Sequence, residues 1–188
     1  MPGHREERKC TAALMNPSDS VQIEAAPSAT EDVRALVDEL ETVLAAEYTP
    51  EQRHGLALDA LFQPHIRFFL ARLHGQAVGC GGVALFDDFA EVKRMYVRDA
   101  ARRQGVAGAI LARLEEEARG AGLSWLRLET GENQIAAMQL YTRAGFRRCA
   151  AFGDYAGMAR QSIVTSVFFE KPIGSRAARV QQPLDHNK

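Results

Sequence analysis

The stretch from Val97 to Ile110 reads VRDAARRQGVAGAI, with Arg102, Arg103 and Gln104 directly ahead of Gly105, Val106, Ala107 and Gly108. A strand ending near Val97, a short turn and a helix opening at the small residues would leave first-turn N–H groups without intrahelical partners. The helix dipole would add partial positive charge there. A phosphate fits such a place, because small side chains let it approach the backbone. Arg102 and Arg103 stand at the mouth, where guanidinium groups can add charge-assisted contacts. No Lys-Ser/Thr follows the glycines, so this is not a P-loop, and the full dinucleotide-binding spacing is missing. Taken alone, the pattern is equally a plain helix start with solvated arginines.

The elements that must position this segment are legible from periodicity. Val21 to Ala25 alternates as a first strand. Ser28 and Glu31 have capping-box spacing ahead of Val33, Leu36, Val37, Leu40, Val43 and Leu44, which recur as on one helix face to Glu47. Thr49, Pro50 and Gln52 then predict a second helix running to about Phe62. Ile66–Leu73, Gln76–Phe86 and Glu91–Val97 read as antiparallel strands, with Gly79, Gly81 and Gly82 marking a bulge or a close backbone approach. A helix over 105–119, a strand over 126–130, a helix over 135–144 and strands over 146–149 and 163–169 follow. The pattern is a mixed α/β domain, antiparallel in its first half and joined by crossover helices in its second. The domain is expected over 20–173, with a mobile tail at 1–19 and a flexible tail at 174–188.

Composition limits the partners. With 46% apolar and 25% charged residues and a net charge of −1, the 188-residue chain has the make-up of one globular domain and no global basic field for nucleic acid. The three cysteines, Cys10, Cys80 and Cys149, lack zinc spacing, and the five histidines form no i, i+4 pair, so no metal site is expected. No apolar run has the length of a membrane span or of a signal peptide, so no membrane partner is expected. Unpaired cysteines and this composition lead to the expectation of a cytoplasmic chain. The composition also allows a homodimer.

Two motifs in register carry a resemblance. Arg102-Arg103-Gln104-Gly105-Val106-Ala107 matches the R/Q-x-x-G-x-G/A signature of the GNAT superfamily of acetyl-CoA-dependent N-acetyltransferases, and Leu140-Tyr141-Thr142-Arg143-Ala144-Gly145-Phe146 resembles its L-Y-x-x-x-G-F. Leu126 to Thr130 is similar to the intervening strand, and the likeness spans roughly 66–170. It implies a centrally splayed sheet of about six to seven strands flanked by about four helices, with acetyl-CoA as co-substrate and no metal. The pyrophosphate would rest on backbone N–H groups of Arg103, Gln104, Gly105, Val106, Ala107 and Gly108. Met95 and Val97 would offer main-chain bonds to the pantetheine arm, with the Met95 N–H also polarising the thioester carbonyl. Where the family often has Asn, seven residues before Tyr141, this chain has Gln134 with Asn133 beside it, which makes that cofactor contact a departure.

Acetyl transfer to an amine requires a proton taken from the ammonium and one given to the departing thiolate. The resemblance implies Tyr141 as the acid, a phenol that keeps its proton at neutral pH, and Glu91 as the base. Glu91 opens its strand, and in a pleated strand Glu91, Lys93, Met95 and Val97 share one face; Glu91 is equally a strand-end carboxylate paired with Lys93 or Arg94. The acceptor site of this fold would lie near Glu47–His54 and the loop Phe152–Arg160. There Asp154 and Tyr155 could bind a cationic amine and Arg160 a carboxylate, as in an amino-acid-like acceptor. A small-molecule amine is the preferred acceptor. A Lys or N-terminal peptide acceptor, and a catalytically silent acetyl-CoA-binding module, are the alternatives, the last disfavoured by the presence of both Tyr141 and Glu91.

Overall fold

The computed structural model describes residues 20–174. The expected tail at 1–19, with Cys10, and all but residue 174 of the expected tail at 174–188 lie outside the described residues. Seven strands, β1 (Gln22–Ala25), β2 (Ile66–Leu73), β3 (Gln76–Leu85), β4 (Ala90–Val97), β5 (Trp125–Gly131), β6 (Arg147–Arg148) and β7 (Ser166–Pro172), form one sheet in the order β1-β2-β3-β4-β5-β7-β6. Helices α1 (Glu31–Glu47), α2 (Val106–Gly120) and α3 (Ile135–Arg143) complete the architecture. Every pairing is antiparallel except β4 with β5, whose crossover is α2.

Strands β2 and β3 are apolar nearly throughout because both faces are covered. Phe68, Leu70 and Cys80 pack with Val33, Leu36 and Val37 of α1, whereas Phe69, Ala71 and Val83 pack with Ile110, Leu111 and Leu114 of α2. Alternate residues of one strand therefore belong to different cores. Complete burial of Ile110 and Leu114 contributes roughly 2 kcal/mol each in area terms. Gly81 is required beneath α2, since a Cβ there would lie 2.7 Å from the Ile110 side chain.

Four expectations are corrected. The cap of α1 is Thr30, whose Oγ1 accepts from the Val33 N–H at 3.4 Å, and not Ser28. The helix expected after Thr49 is two short 3₁₀ segments, Pro50–Gln52 and Leu58–Phe62, so the described residues hold three α-helices rather than about four. Gly55 weakens that helix, and the Leu56 carbonyl accepts from Arg94 Nε at 2.9 Å, which takes it out of a helical ladder. The strand expected at 146–149 contracts to the edge pair Arg147–Arg148, and the last strand starts at Ser166, because residues 160–165 are turns.

Candidate active site

The centre of the sheet is broken at one point. The β3–β4 register shifts between Cys80 and Gly82, opposite Arg94, which has φ 53°. A non-glycine residue in the left-handed region is strained and must be held. The Arg94 side chain, 7% exposed, provides the hold by bonding the Leu56 carbonyl and the Glu41 carboxylate. The bulge switches the parity of the strand. Ala90 and Val92 face the α2 core, and so do Met95 and Val97, whereas Glu91 lies on the other face, with Lys93 bonded to it. The expected single face for Glu91, Lys93, Met95 and Val97 is thus corrected. Beyond Val92↔Leu128 the pairing of β4 with β5 ends, although both strands continue. A cavity of about 130 Å³ opens there, lined by Met95, Glu129, Gln134 and Tyr141 among others.

At the α2 end, Gly105 caps the helix with φ 81° and Arg103 has φ 63°. The first helical backbone bond runs from the Ala109 N–H to the Gly105 carbonyl at 3.0 Å. Among the described residues no acceptor is bonded to the N–H groups from Arg103 to Gly108. Val106 turns its side chain into the core at 1% exposure, and no atom lies within 4 Å of where a Cβ on Gly105 or Gly108 would stand. This surface of free donors and open space can receive a phosphate group. Arg102 is bonded to Asp99 at 2.7 Å and Gln104 to the Ala100 carbonyl at 3.0 Å, while the Arg103 side chain is exposed.

Tyr141 lies in α3 at 6% exposure, wedged against Phe146 and Phe169. Its O–H points to Met95 Sδ at 3.9 Å, a weak acceptor. Burial, with the negative charge of Glu129 adding to it, raises the phenol well above its ordinary value, so the group holds its proton. Gln134 precedes α3 and its amide donates to Glu47 Oε2 at 2.6 Å.

On the other side of the cavity, Glu91 is 4% exposed, and its Oε1 accepts from Lys93 Nζ at 2.5 Å and from the Tyr155 O–H at 2.9 Å. Burial first, and the Glu91 charge second, push the Tyr155 phenol upward. The His54 ring stands edge-on to Tyr155, with Nε2 2.9 Å from the Ser162 carbonyl. Glu129 accepts from Ser166 Oγ at 2.6 Å, and burial raises its carboxyl above the ordinary glutamate value.

Glu91, Lys93, Tyr155 and His54 also border a second cleft of about 780 Å³. Its apolar lining includes Phe86, Phe89, Phe152 and Met158, and Asp87, Asp88 and Asp154 stand along it without an ion-pair partner among the described residues. Phe86 and Met158 are 40% and 38% exposed, large apolar side chains left open to this space. Arg160 is exposed and lines neither cavity. No group of three metal-ligating side chains occurs among the described residues.

The structure thus brings Tyr141, Glu91, Met95 and Gln134 around one cavity and sets the segment 102–108 at a helix N-terminus. It adds Glu129, which the sequence reading left without a role, and Tyr48, which that reading held only within the acceptor segment Glu47–His54. Glu129 had a signal: in LRLET, Arg127 and Glu129 alternate with buried Leu126 and Leu128, so a carboxylate sits on the other face of a central strand.

A mixed sheet split between two parallel strands, with unbonded N–H groups at one end of the gap and a buried phenol within it, fits an acyl-CoA-dependent transferase. The acetyltransferase (GNAT) family matches residues 33–146, and the chain belongs to that family. It is similar to an IAA acetyltransferase of Azospirillum brasilense, 41% identical over 140 residues that cover 73% of this chain and 88% of the relative. It is also similar to an aminoglycoside N(6')-acetyltransferase type 1 of Serratia marcescens, 31% identical over 57% of this chain and 80% of that protein. A solved structure from Klebsiella pneumoniae, described as an acyl-CoA N-acyltransferase, superposes with TM-score 0.65 and 31% identity, covering 81% of this chain and 97% of the other. The protein is an N-acetyltransferase enzyme.

Proposed function

We propose that the enzyme transfers acetyl from acetyl-CoA to the primary amine of a small molecule, by direct attack with both substrates bound. The observation that carries this reading is continuity. The β4–β5 gap connects with the larger cleft through His54, Gly55, Leu56, Glu91, Lys93 and Tyr155, residues common to both cavities. An acyl donor seated on the N–H groups of 103–108, with its arm along Met95 and Val97, would bring its thioester to Tyr141. An acceptor would enter from the cleft.

Tyr141 would give its proton to the departing sulfur, and a carboxylate at the acceptor end would take one from the ammonium. Glu91 is the carboxylate that the sequence singles out for that role. A cleft of about 780 Å³ has the size of small-ligand sites. Its aromatic wall and unpaired aspartates favour a cationic amine with an apolar body. They do not favour an amino-acid-like acceptor, since Arg160 lines neither cavity. The names of the Azospirillum and Serratia relatives support a small-molecule acceptor. The acidic rim would also suit a lysine peptide, so both classes belong in the test. The free thiols Cys80 and Cys149 support a reducing compartment, the cytoplasm.

Thiol release from acetyl-CoA, measured against arylalkyl amines, diamines, amino acids and Lys peptides, tests the reading, with thermal-shift binding of acetyl-CoA alongside. Turnover with small cationic amines is expected. Turnover confined to peptides replaces the acceptor class, and the lack of any acetyl-CoA shift removes the donor.

A further inference from the structure

Glu91 and Glu129 face the same cavity in different electrostatic states. Glu91 Oε1 already carries the Lys93 ammonium at 2.5 Å and the Tyr155 hydroxyl at 2.9 Å. An approaching ammonium would have to compete with the bonded Lys93 for Glu91. Glu129 has one neutral donor, Ser166 Oγ at 2.6 Å, and no ion pair among the described residues. It is the first β5 residue beyond the last β4–β5 pair, Val92↔Leu128, where the sheet opens. Tyr141 lines the same cavity and feels the Glu129 charge.

We infer that Glu129 takes the proton from the acceptor ammonium, and that Glu91 is a positioning residue that holds Lys93 and Tyr155 at the wall of the acceptor cleft. The inference rests on the proposed acetyl transfer and names its base. The ammonium loses one proton to Glu129, and its nitrogen forms a bond to the acetyl carbon. As the carbon–sulfur bond breaks, sulfur takes the Tyr141 proton. The second proton shed by the nitrogen restores Tyr141, and Glu129 releases its own to solvent, so that one proton leaves per turnover.

The groups facing Glu129 are Glu91 and Lys93 from β4, His54 from the segment after α1, Tyr48 from the end of α1, Tyr141 from α3, and Tyr155. Arg53 and Arg94 line the same cavity but are both bonded to Glu41. Burial keeps the Glu129 carboxyl above the ordinary value despite Lys93 and His54, the direction a base needs in order to hold a proton briefly near neutral pH.

The experiment compares wild type, Glu129→Gln and Glu91→Gln with two probes, benzylamine, which is protonated at neutral pH, and phenylhydrazine, which is not. For Glu129→Gln, kcat with benzylamine should fall on the order of 10²-fold and lose its acid limb, while most of the deficit should vanish with phenylhydrazine. Glu91→Gln should keep the acid limb and chiefly raise KM. Equal losses with both probes, or an acid limb lost only in Glu91→Gln, overturn the proposal. A readout without turnover is the ¹³C NMR titration of glutamate side chains in the acetyl-CoA-bound protein. A carboxyl titrating above the ordinary range and missing in Glu129→Gln is expected, and its absence overturns the proposal whatever the acceptor. Calorimetric binding of acetyl-CoA by the same proteins reports separately on the donor. A wild type that binds it yet acetylates neither probe counts against the proposed acceptor class, and the NMR titration still decides the base.

Discussion

At the α2 end of the gap the groups proposed to bind are backbone N–H donors of consecutive residues, Arg103 to Gly108, with open space where a Cβ on Gly105 or Gly108 would stand. At the proposed acceptor end the cavity-lining groups are side chains from separate segments: Tyr48, His54, Glu91, Lys93, Glu129 and Tyr155. The first end would bind through helix geometry, which any sequence with suitably small residues reproduces. The second depends on burial and on which carboxylate meets which cation. A phosphate-bearing donor common to many enzymes suits the first construction, and an individual acceptor suits the second.

The comparison breaks most sharply at Gly105. Gly105→Glu places a negative side chain at the cradle and forces a left-handed backbone, φ 81°, on a residue with a Cβ, so calorimetry should detect no acetyl-CoA binding. Unchanged affinity would remove the cradle from this segment. Tyr141→Phe should lower kcat on the order of 10²-fold with acetyl-CoA affinity nearly intact. Because burial raises this phenol, its loss of a proton should not limit wild-type kcat until pH has passed the ordinary tyrosine value.

At the acceptor end, Lys93→Met leaves Glu91 buried without its cation. Side-chain exposures of 13% and 5% put the pair inside the protein, where breaking such a pair costs about 3–5 kcal/mol, readable by urea unfolding. An equally stable variant would mean that Tyr155 alone satisfies Glu91. A milder change, Asp154→Asn with Asp87→Asn, should raise KM for cationic amines several-fold without altering acetyl-CoA binding, sharpening the division between the two ends. The smallest effect concerns Cys80, whose thiol burial pushes up to about 12. At pH 8 iodoacetamide should modify Cys149 slowly and leave Cys80 untouched until the protein unfolds, as peptide mass spectrometry would record.

The sequence by itself determined the elements that rest on local rules. The spacing of Val33, Leu36, Val37 and Leu40 specified α1, and the short apolar run IRFFLARL, bounded by a turn at His74-Gly75, specified β2. The order Arg102-Arg103-Gln104-Gly105 placed the start of α2 shortly after a strand. Those signals are short-range, since helix period, strand period and cap chemistry are set within a few residues. Only the tertiary structure decided that β4 reverses its parity at Arg94. That turn is stabilised by Glu41 and the Leu56 carbonyl, from parts of the chain far from β4 in sequence. The same long-range contact undid the helix expected after Thr49. The pairing of Glu91 with Lys93 and Tyr155, and the lack of an ion pair at Glu129 among the described residues, were likewise settled by packing, because the partners of a carboxylate are its neighbours in space.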